Sequence, residues 1–298
     1  MIRAPRLIRS PLRVGRSSLL RSARLGAGLL LCAVLGTALA GRALAQDAPL
    51  DSVTKTGILK VAVYKDFFPF YDAKDGGIDQ DLAQALADKL GAKLSLLPFD
   101  AGETLNDDLR NMVWKGHYLG YGPADVMLHV PIDAVLARQN ENVAFFGAYH
   151  VESVMLSINS ERIPDWEGFD VFSKEKIAVD GGSFSAQIML GMDGGRYREQ
   201  LVNGRHIQDA IQELRDGHVA AVMATRSELE AAGLNKAPYH LVDVSIPGAP
   251  RRSWAVGLGV KSDRKELAAK LAAAMKDLQA SGALAKIYEH HGVRYIQP

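Results

Sequence analysis

The stretch ILKVAVYKDFFPFYDAKDGGIDQDLAQALADKLGAKLSLL, residues 58–97, decides the fold. It opens with an almost wholly apolar run, as expected of a strand that is buried on both faces of a parallel sheet. A turn rich in proline and glycine follows, and Asp79 is expected to cap the next helix. Leucines recur every fourth residue along that helix, at Leu82, Leu86 and Leu90. A second apolar run closes the stretch, which therefore predicts a βαβ unit.

The aromatic turn inside this unit is the first candidate site. It has the sequence Phe-Phe-Pro-Phe and directly follows the first strand. Open α/β sheets bind their ligands at the carboxyl ends of parallel strands. Phe68 and Phe70 are therefore expected to cover the apolar part of a bound molecule.

Two motifs resemble a known family. Residues 77–91 read Gly-Ile-Asp-x-Asp-Leu-Ala-x-Ala-Leu-Ala-x-Lys-Leu-Gly, and residues 282–293 contain Gly-x-Leu-x-x-Ile-Tyr. Both resemble segments of the family 3 solute-binding proteins, periplasmic receptors that deliver amino acids and similar polar solutes to ABC importers. The resemblance covers nearly all of residues 50–295.

The resemblance implies an α/β fold of the periplasmic-binding-protein type 2 architecture, with two lobes joined by two crossover strands. Lobe 1 is expected to comprise residues 50–155 plus 255–298, and lobe 2 residues 156–254. The crossover strands are predicted at residues 151–158 and 254–260, where the chain is apolar. Two such strands allow the lobes to close over a solute.

The first 45 residues are typical of a cleaved secretory signal. They carry eight arginines and no acid, and their apolar segment, residues 25–39, is too short to span a bilayer comfortably. This signal predicts a periplasmic location for the mature protein.

Cleavage changes the charge of the chain. Of the 35 basic residues, 27 remain after cleavage against 34 acidic ones, a net charge of −7 that gives no basis for nucleic-acid binding. The single cysteine, Cys32, lies in the leader, so the mature chain has no disulfide.

Three further ligand contacts are implied by the resemblance. Arg138 occupies the position of a family arginine whose planar guanidinium binds a ligand carboxylate through two hydrogen bonds, although it can instead pair with Glu141 on a solvated helix. Gly182 and Ser183 resemble the family's Gly-Thr-Thr turn, where a helix start offers backbone N–H groups to an anion. The alternative is an ordinary serine N-cap. His129 occupies the position of a polar ligand contact, or is simply hydrogen-bonded within the fold.

Two departures from the family pattern concern the ligand. Amino-acid receptors commonly hold the ammonium group with an aspartate at the position where this chain has Thr225, which is therefore the expected ligand contact there. A buried ammonium without a carboxylate is costly, so the sequence favours an anionic or zwitterionic carboxylate-bearing solute unless Asp180 or Glu228 takes over. The second departure is an aromatic, glycine-rich insertion at residues 117–123. Its Tyr121 is expected either to line the cleft or to belong to a surface elaboration.

The sequence thus predicts a monomeric receptor that closes on a small carboxylate-bearing solute for an ABC permease, with no cofactor or metal. One alternative is an accessory protein of a quinoprotein alcohol dehydrogenase that acts through protein contacts. Another is a dehydratase-like enzyme on the same fold, in which Arg138 holds the substrate and a cleft carboxylate serves as acid. No nucleophile elbow, phosphate loop, HExxH or CxxC occurs, which favours binding over catalysis.

We interpret His290 and His291 as a solvated tail, because no metal ligand accompanies them at helical spacing and no carboxylate cluster lies nearby.

Overall fold

The computed structural model describes residues 52–245 and 253–298. The predicted signal and its cleavage site lie outside these residues. Within the described part, no helix is both long and apolar enough to cross a membrane.

The described residues form nine strands and nine α-helices. The strands are β1 (Ile58–Tyr64), β2 (Lys93–Phe99), β3 (Val126–Pro131), β4 (Val143–Asn159), β5 (Ile177–Asp180), β6 (Leu201–Gly204), β7 (Ala221–Thr225), β8 (Tyr239–Asp243) and β9 (Ser253–Lys261). The helices are α1 (Ser52–Thr56), α2 (Ile78–Leu90), α3 (Leu105–Leu109), α4 (Ala134–Gln139), α5 (Phe184–Gly191), α6 (Ile207–Arg215), α7 (Arg226–Ala231), α8 (Lys265–Ala280) and α9 (Ala283–His290). A π-helical turn, Arg110–Trp114, continues α3, and short 3₁₀ segments lie at Phe169–Ser173, Met192–Gly195 and Arg198–Gln200.

The strands follow the order β2-β1-β3-β9-β4-β7-β5-β6, with β8 also paired to β4. In the first lobe β1 runs parallel to β2 and β3, and in the second β5 runs parallel to β6 and β7. The 17-residue strand β4 belongs to both lobes, because it pairs with β9 up to Ser153 and with β7 from Val154. The predicted βαβ unit and the two-lobed α/β architecture are confirmed.

Each lobe has its own apolar core. In the first lobe Leu82 and Leu86 of α2 pack with Leu271 of α8 and Tyr288 of α9, all fully buried. Burying one such leucine side chain contributes roughly 1.5–3 kcal/mol to folding. Trp254 of β9 is packed against the cores of both lobes, at the point where the chain crosses between them.

The start of α2 differs from the expectation. Gly77, and not Asp79, is the N-cap, and Asp79 lies in the first turn with no exposed surface. The physical reason is a close backbone contact, since a Cβ on Gly77 would lie 2.3 Å from the carbonyl oxygen of Phe70. Only glycine fits there, so the helix begins directly after it, and the prediction of Asp79 as the cap is wrong.

Candidate ligand-binding cleft

A cavity of about 560 Å³ lies between the lobes, a volume within the range of small-molecule sites. The first lobe contributes the aromatic turn after β1, the loop before α3, and His129 near the end of β3. The second lobe contributes the starts of α5, α6 and α7. Glu152 and Val154 of β4 and Trp254 of β9 complete the wall, so the crossover strands themselves form part of the site.

Six of the eight predicted ligand contacts line this cavity. They are Phe68, Phe70, His129, Gly182, Ser183 and Thr225. Whether they bind a ligand stays a prediction.

Arg138 and Tyr121 are not part of the lining. β3 ends beside the cavity at Pro131, but Asp133 then caps α4, and Arg138 lies in the exposed last turn of that helix. Tyr121 stacks on His117, with 4.3 Å between the ring centroids, in a loop outside the cavity. Of the predicted contacts Arg138 and Ser183, only Ser183 therefore lies in the cavity wall.

The two predicted hydroxyl contacts are both engaged by helix starts. The Ser183 hydroxyl donates to the Asp180 carbonyl at 2.7 Å and accepts from the Ala186 N–H at 3.2 Å, as an N-cap serine does. Thr225 caps α7 in a reciprocal arrangement, in which its N–H and hydroxyl donate to Glu228 Oε2 at 2.8 and 2.7 Å. These side chains shape the cavity wall and already have partners within the fold.

Carboxyl groups are the dominant polar feature of the wall. Six acidic residues line the cavity, namely Asp66, Glu103, Asp108, Glu152, Asp180 and Glu228. Among the described lining residues, Lys65 is the one lysine or arginine. Of the six, the sequence reasoning weighed only Asp180 and Glu228. The sequence does hold a signal for Glu152, because it is the one charged residue in the predicted strand 151–158.

Glu152 is the most unusual of these acids, since only 1% of its surface is exposed. Its Oε1 accepts hydrogen bonds from the Ser227 hydroxyl and, at 3.1 Å, from His150 Nε2. The N–H of Ile296 donates to His150 Nδ1, so the proton of the neutral imidazole lies on Nε2. Glu152 Oε2 is buried and has no hydrogen-bond partner among the described residues. A buried carboxylate oxygen without a partner is costly, so this side chain is a candidate for pairing with a positively charged group.

Glu228 has a perturbed acidity. Burial raises its pKa from 4.5 to about 7, the nearby Glu152 and Asp180 add to the rise, and the hydrogen bonds from Thr225 oppose it. At neutral pH the side chain is therefore divided between its protonated and ionised forms. Such a group can donate a proton to a ligand, or ionise when a positive charge arrives.

Aromatic rings cover the first-lobe side of the cavity. The His129 ring packs on Phe67 and Phe70, with centroid distances of 4.9 and 4.1 Å. The His129 N–H donates to the hydroxyl of buried Tyr149 at 2.8 Å, and His129 Nδ1 lies 3.8 Å from Asp79 Oδ2. Desolvation, with Asp79 nearby, raises the pKa of Tyr149 well above its ordinary value, so its hydroxyl stays protonated. The His129 backbone is thus anchored to Tyr149 and its ring is packed between aromatic rings, while its Nδ1 has no hydrogen-bond partner among the described residues.

The chain has the periplasmic-binding-protein type 2 fold, with a cavity between its two lobes. No model of a known protein family matches the chain. An ancestral cationic amino-acid solute-binding protein superposes with a TM-score of 0.64 at 22% identity, over 81% of this chain and 98% of that one. An amino-acid ABC transporter substrate-binding protein from Streptococcus pneumoniae, bound to L-arginine, gives a TM-score of 0.58 at 18% identity, over 82% of this chain and 98% of that one.

One curated relative is an enzyme by name. A cyclohexadienyl dehydratase from Pseudomonas aeruginosa is 45% identical over 58 residues, which are 18% of this chain and 22% of the dehydratase. The match thus spans about a fifth of that relative's length. The structural neighbours named above are, by contrast, amino-acid-binding proteins.

Proposed function

We propose that this protein is a periplasmic receptor that binds a small solute through its positively charged group and presents it to an ABC permease. The observation that carries the proposal is the acidic cavity wall, in which Glu152 stands out because its Oε2 is buried and has no hydrogen-bond partner among the described residues. A ligand ammonium or guanidinium would supply the missing hydrogen bond together with a compensating charge.

The composition of the wall supports a cation. Five other acids line the same cavity as Glu152, and their combined field attracts positive charge. Phe67, Phe68 and Phe70 add aromatic rings to the wall, and a cation over such a ring gains roughly 0.5–2 kcal/mol. The proposed solute is thus recognised by its positive charge, and not by a carboxylate bound to Arg138, because Arg138 lies outside the cavity.

A zwitterion, such as an amino acid with a cationic side chain, fits both ends of this cavity. The start of α5 lines the second-lobe side, where the first backbone N–H groups of a helix have no intrahelical partner and attract an anion. A carboxylate placed there leaves the cationic group for Glu152. Because Glu152 lies on β4, the strand shared by both lobes, a ligand bound to it contacts the connection on which lobe closure depends.

Isothermal titration calorimetry with matched ligand pairs tests the proposal. L-arginine and L-citrulline differ in the charge of one end group, and cadaverine and glutarate are five-carbon chains of opposite charge. We expect the cationic member of a pair to bind at least about tenfold more tightly, because a hydrogen bond to a charged group contributes roughly 1.5–3 kcal/mol. Tighter binding of citrulline or glutarate, or no binding of any cationic probe in a wider amine screen, would contradict the proposal.

A dehydratase-like enzyme is the second candidate, favoured by Glu228. A carboxylic acid with a pKa of about 7 is suited to general acid catalysis at neutral pH. The partial match to cyclohexadienyl dehydratase points the same way. Turnover of prephenate or arogenate by the purified protein, lost in Glu228→Gln, would support this candidate. Absence of turnover together with tight binding of a cation would favour the receptor.

An accessory role is supported by a different surface. Tyr118 and Leu119, at the tip of the insertion, are 88% and 67% exposed. Large apolar side chains at a loop tip are suited to contact with a protein partner. Co-purification with a quinoprotein alcohol dehydrogenase, abolished by Tyr118→Ser, would support this role, whereas a transport receptor leaves that enzyme unbound.

A further inference from the structure

A cluster of three potential metal ligands lies outside the cleft. Asp81, His290 and His291 each offer one ligand atom, and these atoms all lie within 4.8 Å of one another. We propose that this cluster, the Asp81–His290–His291 site, binds a divalent transition-metal ion of the Zn²⁺ type. The proposal is independent of the solute that the cleft binds.

The distances suit a metal after small side-chain movements. Ligand atoms about 2.1 Å from a tetrahedral Zn²⁺ lie roughly 3.4 Å from one another. His291 Nε2 and Asp81 Oδ2 are now hydrogen-bonded at 2.8 Å, so they must separate by a few tenths of an ångström. The other separations are at most 4.8 Å, so none has to contract by more than about 1.4 Å to reach the tetrahedral value. Rotation about side-chain bonds supplies such movements, because His290 is exposed and the other two side chains are partly so.

The backbone that carries the ligands is held firmly. Asp81 lies in the first turn of α2, next to the fully buried Leu82. His290 ends α9 and His291 is its C-cap, directly after a turn anchored by the fully buried Tyr288. Leu82 and Tyr288 belong to the same apolar core, which fixes the two helices relative to each other. The protein therefore presents the three ligands together before any metal binds.

The donor set selects the kind of metal. Two imidazole nitrogens and one carboxylate oxygen suit Zn²⁺, Ni²⁺ or Cu²⁺, whereas Mg²⁺ and Ca²⁺ prefer oxygen ligands alone. Three protein ligands leave a further coordination position for water or another small ligand. His291 also lines a second cavity, of about 590 Å³, that includes His206 and Asp209, so the site borders an accessible space.

The sequence interpretation of this segment was incomplete. His290 and His291 were expected to form a solvated tail, because no carboxylate accompanied them in the sequence. The fold brings in Asp81 from 210 residues away along the chain.

Titration of the untagged, chelator-treated protein with ZnCl₂ in a calorimeter tests the site. We expect saturable binding of one Zn²⁺ per chain and no comparable binding of Mg²⁺. His290→Ala, His291→Ala and Asp81→Asn should each weaken Zn²⁺ binding at least about tenfold, since even the hydrogen-bonding partners of metal ligands contribute about 10- to 100-fold. His218→Ala, which removes another exposed histidine paired with Glu213, is the matched control and should bind Zn²⁺ as the wild type does.

Folding is monitored separately. Because His290 is exposed, His290→Ala should keep the wild-type circular dichroism spectrum and metal-free melting temperature. Added Zn²⁺ should raise the melting temperature of the wild type but not of His290→Ala. Failure to saturate at one equivalent, or wild-type affinity in folded His290→Ala and Asp81→Asn, would overturn the proposal. Glu152→Gln should leave Zn²⁺ binding unchanged, which separates this test from that of the cleft.

Discussion

Replacing Glu152 by glutamine is the most direct test of the cleft. Glutamine keeps the shape of the side chain, and its carbonyl oxygen can still accept from Ser227 and from His150. What the substitution removes is the charge of Glu152, whose Oε2 has no hydrogen-bond partner in the part of the chain that the structure describes. A charge-assisted hydrogen bond contributes roughly 1.5–3 kcal/mol, so the affinity for a cationic solute should fall by about 10- to 100-fold.

Stability and affinity should change in opposite directions. The free wild-type protein bears the desolvation cost of an unpaired buried carboxylate oxygen, so the glutamine variant should unfold at an equal or higher denaturant concentration. Calorimetry measures the affinity and urea unfolding the stability. Glu103→Gln is the matched control, because Glu103 lines the same cavity but is exposed, and its charge is screened by solvent. Wild-type affinity in folded Glu152→Gln, or an equal loss in Glu103→Gln, would refute the reasoning.

Three further predictions follow from the geometry. Because the pKa of Glu228 is higher in the folded than in the unfolded chain, its contribution to stability is complete below about pH 4.5 and is lost as the pH rises through about 7. Glu228→Gln removes this titration. The free energy of unfolding, measured by urea titration, should therefore change by roughly 2–3 kcal/mol less between pH 4.5 and 7 in the variant than in the wild type. In Gly77→Ala the added Cβ would clash with the Phe70 carbonyl, so the free energy of unfolding should fall by at least about 2 kcal/mol. In the control Gly91→Ala the added Cβ contacts no other atom, so the loss should be only about 1 kcal/mol. Equal losses in the two variants would contradict this reasoning. Arg138→Ala should bind the solute within about twofold of the wild type by calorimetry, and a loss beyond tenfold would place Arg138 in the site after all.

Local sequence patterns predicted the framework well. The leucines of α2 and the apolar runs of β1 and β2 have the periodicity that their buried environments require. The crossover strands were predicted for the same reason, and they are found as β4 and β9. The start of α2 was misplaced, because the contact that demands glycine joins Gly77 to a turn seven residues earlier. Capping preferences alone do not report such a contact.

The candidate site was only partly accessible to sequence reasoning. Positions next to strand ends, such as His129 and Thr225, were found because parallel strands bring their carboxyl ends together. Arg138 was chosen by its position in a motif, and the path of α4 carries it elsewhere. The hydrogen bonds around Glu152 form only because the fold brings Ser227, His150 and the backbone of Ile296 together. These residues are far apart in the sequence, so no local pattern predicts the contacts.

The division of the first lobe along the chain has a consequence for biosynthesis. Leu267, Leu271 and Leu284 of α8 and α9 complete the core that β1 and α2 begin, yet all of the second lobe's strands come in between. The ribosome therefore completes the second lobe before it synthesises α8 and α9, the helices that cover the apolar face of α2. Until α8 and α9 are synthesised, that apolar face stays uncovered and is open to aggregation.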